Sequence, residues 1–287
     1  MKKPNPWIAA ALCLLDGPIG FLYAGHTAKF VSIWILQLAL VLISALAIAT
    51  GRLEPAGLLS IVVVLVGFRL ILPIWAFVVA KQKKEFDRKW WMRWYGIVLT
   101  LAILMIINQS FMMFVKNHIL DFYYVPGRAM STTINHADRI AVDKLFCSAK
   151  NIKRGDLIVF SVPPSGTLFV MRVIGLPGDV VELDANLLRI NGDVIEEHYA
   201  SYRETPYEVP VLAPTSVPER HFFVLGDNRN YANDSRFLGP IPFEAFVGRP
   251  TNIYWSREYD VVEADRRMPQ FVVGPMAWSR IGRNITQ

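Results

Sequence analysis

The sequence predicts N-terminal transmembrane helices followed by a mainly antiparallel β domain. Hydrophobic residues make up 53% of the 287-residue chain, and their excess is concentrated in the first 115 residues. From residue 122 onward, short apolar runs with β-branched residues alternate with Gly, Pro and Asn, which is typical of strands and turns. The composition therefore indicates a membrane region joined to a globular region.

Three segments are apolar over a length that can cross a membrane as a helix. They are residues 30–50, 56–80 and 94–115. An earlier apolar segment, residues 7–24, is interrupted by Asp16, Gly17, Pro18 and Gly20. This segment is either a kinked span or two short helical pieces that enter the membrane and return.

The charge of the loops predicts the orientation. Residues 81–93 carry six Lys or Arg, whereas residues 51–55 carry one, Arg52. Because positive residues are enriched in cytoplasmic loops, residues 81–93 are predicted to be cytoplasmic and the chain after residue 116 to lie outside. Lys2 and Lys3 are then also best placed in the cytoplasm, which favours the re-entrant interpretation. The predicted organisation is a re-entrant segment at 1–29, a transmembrane region at 30–115 and an outward-facing domain at 116–287.

One charged residue, Arg69, lies in the middle of the second predicted span. A charge at membrane depth is costly and is usually paired or functional. We expect Arg69 to pair with Asp16 or Gln37, because an interrupted helix nearby offers acceptors.

Composition argues against several other functions. Much of the net charge of +6 lies in residues 81–93, where the orientation explains it, so a nucleic-acid partner is not predicted. The two cysteines, Cys13 and Cys147, lie in different regions, and the five histidines are scattered. Neither a disulfide nor a metal site is therefore predicted, and no cofactor is expected.

Short apolar runs in the second half predict strands. They are Arg139–Val142, Asp156–Val162, Leu168–Ile174, Val180–Leu183, Leu187–Ile190 and His221–Leu225. Asn191-Gly192 between two such runs predicts a hairpin. Residues 199–218 are rich in Pro, Thr and Ser and are predicted to form a long surface excursion.

Three patches have the composition of functional loops, in which small and turn-forming residues adjoin polar side chains. They are residues 123–134, 169–179 and 226–239. Taken singly, sequences such as Leu-Pro-Gly-Asp and Gly-Asp-Asn are ordinary turns. Their occurrence together and in this order is the informative feature.

The ordered patches resemble those of bacterial type I signal peptidases, the membrane-anchored serine endopeptidases that remove signal peptides after export. The matching motifs are RGDLIVF at 154–160, RVIGLPGD at 172–179, GDNR at 226–229, DSR at 234–236 and RIG at 280–282. The resemblance covers roughly residues 110–285. It implies the signal-peptidase-like β fold and a multi-pass protein of the bacterial inner membrane, with a periplasmic or extracytoplasmic C-terminal domain.

The resemblance also identifies the site. This family uses a serine nucleophile and a desolvated, neutral lysine as the base. Ala129 stands at the nucleophile position, Met171 at the base position, and Ala232 where many members have a serine that orients the lysine. A methyl group cannot attack a carbonyl, and a thioether is at most a weak hydrogen-bond acceptor.

Other site residues are implied in the same way. The supporting loop comprises Asp227, Asn228, Ala232, Asp234 and Arg236, with an ion pair expected between the last two. The substrate groove comprises Pro126, Met130 and Arg172.

The substitutions, together with Arg128 where the family usually has glycine, favour a natural loss of the dyad over inactivation in the laboratory. The first hypothesis is therefore a membrane protein of the export pathway that binds signal peptides or membrane-bound precursor segments, or serves an active signal peptidase as a scaffold.

A second hypothesis is an active peptidase with Ser131 as its nucleophile. The nearest bases in sequence, His136 and Lys144, are predicted to be surface residues. A third is a membrane-interaction protein in which the β domain is only structural.

Overall fold

The computed structural model describes residues 3–51, 55–84, 89–184, 186–202, 211–262 and 270–285. The chain divides into two units. The first comprises Met1–Ala47 and Ala56–Asn117, and the second comprises Ile48–Pro55 and His118–Gln287. Lys2, Arg52 and Arg88, which contributed to the predicted orientation, lie outside the described residues. So do residues 203–210 of the predicted surface excursion.

The described part of the first unit is helical. Its helices are α1 (Pro6–Leu15), α2 (Ile19–Tyr23), α3 (Thr27–Ala49), α4 (Pro55–Gln82) and α5 (Trp94–His118). Of the described helices, α3, α4 and α5 are long and apolar enough to cross a membrane. Large apolar side chains such as Ile35, Val62 and Ile106 are exposed on them, as expected of a surface that contacts lipid.

The interrupted first segment forms two helices, α1 and α2, that pack against each other. Gly17, between them, has a φ of +27°, a conformation that favours glycine. At Gly20 an added Cβ would lie 2.0 Å from the carbonyl oxygen of Ala9, so the two helices touch through their backbones. Cys13 and Phe21 are buried beside this contact. The segment thus comprises two short helices in close contact.

Arg69 contacts the turn that follows α1. Its Nη2 donates to the carbonyl oxygen of Leu15 at 3.5 Å. The predicted acceptor was the side chain of Asp16 or Gln37, whereas the observed one is the main chain next to Asp16. Gln37 packs against Gly17, where an added Cβ would lie 2.6 Å from the Gln37 amide nitrogen.

The second unit is built mainly of antiparallel strands, as the sequence predicted. The strands are β1 (Leu120–Tyr124), β2 (Arg139–Asp143), β3 (Leu157–Val162), β4 (Thr167–Gly175), β5 (Val180–Asp184), β6 (Leu187–Ile190), β7 (Asp193–Ile195), β8 (Leu212–Ser216), β9 (His221–Leu225), β10 (Ile241–Pro242), β11 (Phe246–Trp255), β12 (Arg257–Val262) and β13 (Gln270–Met276). A short helix, α6 (Ser235–Leu238), follows β9. Each predicted run overlaps one of these strands closely.

Within the described ranges the strands form three sheets. The main sheet has the order β1-β2-β11-β3-β4-β9-β10, a smaller one has the order β7-β6-β5-β8, and β12 pairs with β13. The predicted hairpin at Asn191-Gly192 is confirmed, because β6 and β7 pair with Ile190 opposite Asp193. Both turn residues have positive φ, 56° and 89°, as a two-residue type I′ turn requires.

The core of the main sheet places the candidate site. Ile140 on β2, Ile158 on β3, Met171 on β4 and Val224 on β9 are buried in one apolar cluster. Ile158 lies opposite Met171 in the β3–β4 register. Met171 is therefore part of the core rather than of a surface loop.

Asp179 closes the turn between β4 and β5. Its carboxylate accepts from the Leu176 backbone N–H at 2.7 Å, from Arg154 Nη2 at 2.8 Å and from Asn191 Nδ2 at 2.9 Å. Burial acts to raise the pKa of Asp179, but the bonds from Leu176, Arg154 and Asn191 together outweigh burial and lower it. The ionised carboxylate thus stabilises the folded turn.

We predict that Gly20→Ala destabilises the helical pair, because the new Cβ has to displace the Ala9 backbone. Overpacking of this kind costs about 1–3 kcal/mol. Gly67→Ala on α4 is the control, since its Cβ would meet nothing within 4 Å. Thermal unfolding of both variants in detergent measures the effect. Equal midpoints for the two variants would contradict the contact.

We predict that Asp179→Asn lowers stability at neutral pH and has no effect in acid. Because the folded pKa lies below the ordinary value of 3.8, the stabilisation is complete well above that pH and is lost as the pH falls below it. Unfolding midpoints of native protein and variant, measured from pH 7 downward, should therefore converge. A difference that persists at the most acidic pH would show that the effect does not come from the ionised carboxylate.

Candidate functional site

Residues from all three predicted patches meet at one cleft of about 420 Å³ in the second unit. Residues 123–130 and 167–171 form most of its lining, and the buried Ile140 and Val159 contribute to it. Tyr231 and Asn233, from the loop after β9, complete it and are exposed. The cleft therefore has a buried apolar part and a more polar, exposed edge.

Ala129 and Met171, to which the resemblance assigns the nucleophile and base positions, both line this cleft. Ala129 is half-buried, and Met171 is only 1% exposed. Two of the three predicted groove residues, Pro126 and Met130, also line the cleft. The two segments to which the resemblance assigns the site therefore lie next to each other in the structure.

The backbone around Ala129 is fixed by the loop after β9. The Asn228 N–H donates to the carbonyl oxygen of Ala129 at 2.9 Å, and Asn228 Nδ2 donates to that of Arg128 at 3.0 Å. Gly226 packs so closely that an added Cβ would lie 2.6 Å from the Ala129 carbonyl oxygen and 2.3 Å from the Cβ of Ala232. Ala232, the orienting position, is therefore buried behind Ala129.

Arg172 lies outside the lining of the cleft, although the resemblance implied a groove residue. Its guanidinium donates to both carboxylate oxygens of Asp227, at 2.8 Å from Nε and 2.7 Å from Nη2. Thr133 Oγ1 donates to Asp227 at 2.6 Å, and the Gly155 carbonyl accepts from Arg172 Nη1 at 2.8 Å. The Tyr199 ring covers the guanidinium at 4.0 Å. Arg172 thus supports the site from behind.

The rest of the supporting loop is held by buried charges. The expected ion pair is present, with Arg236 Nε 2.8 Å from Asp234 Oδ1. Asp234 also accepts from the Gly226 N–H at 3.0 Å. Sequence reasoning missed a second pair, between Arg229 and Glu197 at 2.5 Å. Its only signal was the arginine of the GDNR motif, because Glu197 lies 32 residues earlier in a segment without a recognisable pattern.

Ser131, the alternative nucleophile, is buried at 8% exposure and is not among the residues that line the cleft. Its Oγ has no hydrogen-bond partner among the described residues. No base therefore contacts it in this structure.

The prediction that His136 and Lys144 are surface residues was wrong. His136 is 8% exposed, with Nδ1 2.8 Å from the Pro126 carbonyl oxygen, and Lys144 forms an ion pair with Asp121 at 2.9 Å. Burial acts to lower the pKa of Lys144, but hydrogen bonds with Tyr123 and Asp121 outweigh it and raise the pKa. The ammonium stays charged, so Lys144 is unsuited to accept a proton.

Taken together, helices that are long and apolar enough to cross a membrane and an antiparallel β domain with a cleft define the class: a membrane-associated protein with a β domain. The family model for signal peptidase, peptidase S26, matches residues 91–255, more than half of the chain. The chain therefore belongs to this family. Membership supports a role in signal-peptide processing and a location at a membrane.

Individual relatives agree with the family assignment. The chain is 28% identical to a probable signal peptidase I-2 of Synechocystis over 69% of this chain and 89% of the relative. It is 33% identical to signal peptidase I P of Bacillus subtilis subsp. natto over 54% of this chain and 83% of the relative. A crystal structure of signal peptidase I from Enterococcus faecalis matches with 32% identity and a TM-score of 0.31, covering 34% of this chain and 96% of that one.

We predict that Asp227→Ala costs about 3–5 kcal/mol, because it leaves Arg172 buried without its counter-charge. The double variant Asp227→Ala with Arg172→Met should recover part of this loss. Glu244→Ala is the control, since it removes an ion pair with Arg220 whose side chains are both 63% exposed, so its effect on stability should be far smaller. Denaturant unfolding measures all three; a similar loss for Asp227→Ala and Glu244→Ala would refute the supporting role.

Proposed function

We propose that this protein binds signal peptides or similar segments of exported precursors without cleaving them by the Ser–Lys mechanism. One observation carries the proposal: Ala129 and Met171, which the resemblance assigns to the serine and lysine of active members, line the same cleft. Among the described residues, those that line the cleft include no Ser, Cys, Lys, His, Asp or Glu. The cleft thus lacks both a nucleophile and a base of the required kind.

Neither Tyr123 nor Thr167 replaces the missing groups. Burial raises the pKa of Tyr123, so its phenol stays protonated near neutral pH. Thr167 has a hydroxyl, but its Oγ1 is 2.8 Å from the Oγ of Ser165, which is no general base.

The cleft offers an extended peptide both a strand edge and an apolar lining. Among the described strands, β9 pairs with β4 at Arg172, Val173 and Gly175. The earlier part of β4, Thr167–Met171, pairs with β3 along one edge. Its other edge is not paired with a described strand, and this part of β4 borders the cleft. An extended peptide can add to such an edge through main-chain hydrogen bonds, with alternate side chains entering the cleft.

The proposed setting is the bacterial inner membrane. The loop charges support a multi-pass arrangement with residues 116–287 outside the cytoplasm, and the packing of α1 on α2 supports a re-entrant segment at 1–29. A substrate-binding domain outside the membrane would meet exported precursors as they emerge. An active signal peptidase is a further proposed partner, for which this chain would serve as a scaffold.

We predict that the native chain does not cleave a synthetic precursor, whereas Ala129→Ser combined with Met171→Lys restores cleavage. The lysine introduced at the buried position 171 would have a lowered pKa and could act as a neutral base. Adding Ala232→Ser should raise the rate further, because the serine orients the lysine. Precursor cleavage is followed by mass spectrometry.

Each single variant, Ala129→Ser or Met171→Lys, is the control and should remain inactive. A folded double variant with no activity would count against a preserved site. Cleavage by the native chain that is lost in Ser131→Ala would instead establish the second hypothesis, a relocated serine.

Binding itself is tested by photocrosslinking at two matched leucines. Leu168 lines the cleft and is 41% exposed, whereas Leu187, on the small sheet, is 38% exposed. A photoreactive residue at position 168 should crosslink an exported precursor much more than one at 187. Equal yields would favour the third hypothesis, in which the β domain is only structural.

A further inference from the structure

The exposed edge of the cleft carries a fixed positive charge. Arg128 lines the cleft together with Tyr231 and Asn233. Its guanidinium carbon lies 4.9 Å from the centre of the Tyr231 ring, which restricts its orientation. A guanidinium stays protonated at physiological pH and presents two parallel N–H donors to a carboxylate.

The remainder of the cleft has little polarity. Arg128 is the one charged residue in the described lining. The buried part is apolar and comprises Val125, Met130, Ile140, Val159 and Met171. An apolar cleft with a single cation at its edge suits a ligand with an apolar body and one anionic end.

The carboxylates of the supporting loop are already neutralised by other arginines. Asp227 is held by Arg172 at 2.7 Å, and Asp234 by Arg236 at 2.8 Å. Both carboxylates are fully buried. The positive charge at the cleft is therefore supplied by the residue that immediately precedes Ala129.

We propose that the cleft prefers peptides that end in a free α-carboxylate, with the carboxylate on Arg128. This inference rests on the proposed function, because it assumes that an extended peptide occupies the cleft. A chain cut beside position 129 ends next to Arg128, whereas an uncut precursor continues and offers only a neutral peptide carbonyl there. The preferred ligand class is thus a released signal peptide rather than an intact precursor.

The test uses three fluorescent peptides with one apolar sequence and the full-length protein in detergent. The first ends in a free carboxylate and the second in an amide. The third is longer and has an aspartate at the position where the first two end. We expect the free acid to bind about tenfold or more tightly than the amide, as a charge-assisted bidentate contact permits. The difference should weaken with salt.

Variants assign the effect to one side chain. Arg128→Gln should reduce the difference between acid and amide to about twofold or less, and Arg128→Lys should retain part of it, since a lysine keeps the charge but not the planar fork. Arg189→Gln is the control. Arg189 lies on β6, away from the cleft, where it pairs with Glu182, and this variant should preserve the full difference.

The outcomes separate this inference from the proposed function. Equal affinity of the native chain for acid and amide overturns the preference for chain ends and leaves peptide binding intact. Binding of the aspartate peptide as tightly as the free acid also overturns it, because the cleft would then recognise an acidic side chain. Failure of all three peptides to bind, together with no crosslinking at Leu168, overturns both.

Discussion

The buried ion pair of Arg172 and Asp227 joins the three segments that form the site. Arg172 belongs to β4, Asp227 to the turn after β9, and Thr133, which donates to Asp227 at 2.6 Å, to the segment after β1. Burying two charges is costly unless their remaining hydrogen-bonding groups are satisfied. Here the Gly155 carbonyl and the Tyr199 ring complete the environment of the guanidinium. The positions of Ala129 and Met171 relative to each other depend on this cluster.

The cluster does not use the side chains at positions 129 and 171. Ala129 contributes its carbonyl oxygen, which accepts from Asn228, and Met171 contributes apolar volume to the core. A lysine at position 171 would have to be desolvated, which is unfavourable for a charged group, whereas an unbranched thioether fills a similar length without that cost. Alanine at position 129 and methionine at position 171 are therefore compatible with a fully formed scaffold, and the presence of the motifs is by itself no sign of catalysis.

The sequence could predict local structure well and long-range pairing poorly. Alternating apolar runs located the strands, and Asn191-Gly192 located a hairpin, because these signals involve neighbours along the chain. Arg172 and Asp227 are 55 residues apart, and no local pattern indicates that they meet. Lys144 was assigned to the surface for the same reason: its partner Asp121 is reached only through the pairing of β1 with β2. The convergence of Ala129 and Met171 could be expected only from the family resemblance.

Under the proposed function, the cation of the cleft is an arginine at its edge, Arg128, in place of a lysine at position 171. A buried lysine can lose its proton and act as a base, because desolvation disfavours its charged form. An arginine at the edge of the cleft keeps its proton, so it cannot serve as a base but can attract an anion at any physiological pH. Arg128 lies at the edge of the cleft with the exposed Tyr231 and Asn233, and not in its apolar interior. Under the proposed function, the cleft therefore holds a negative charge where a buried lysine would move a proton, and this difference favours binding over hydrolysis.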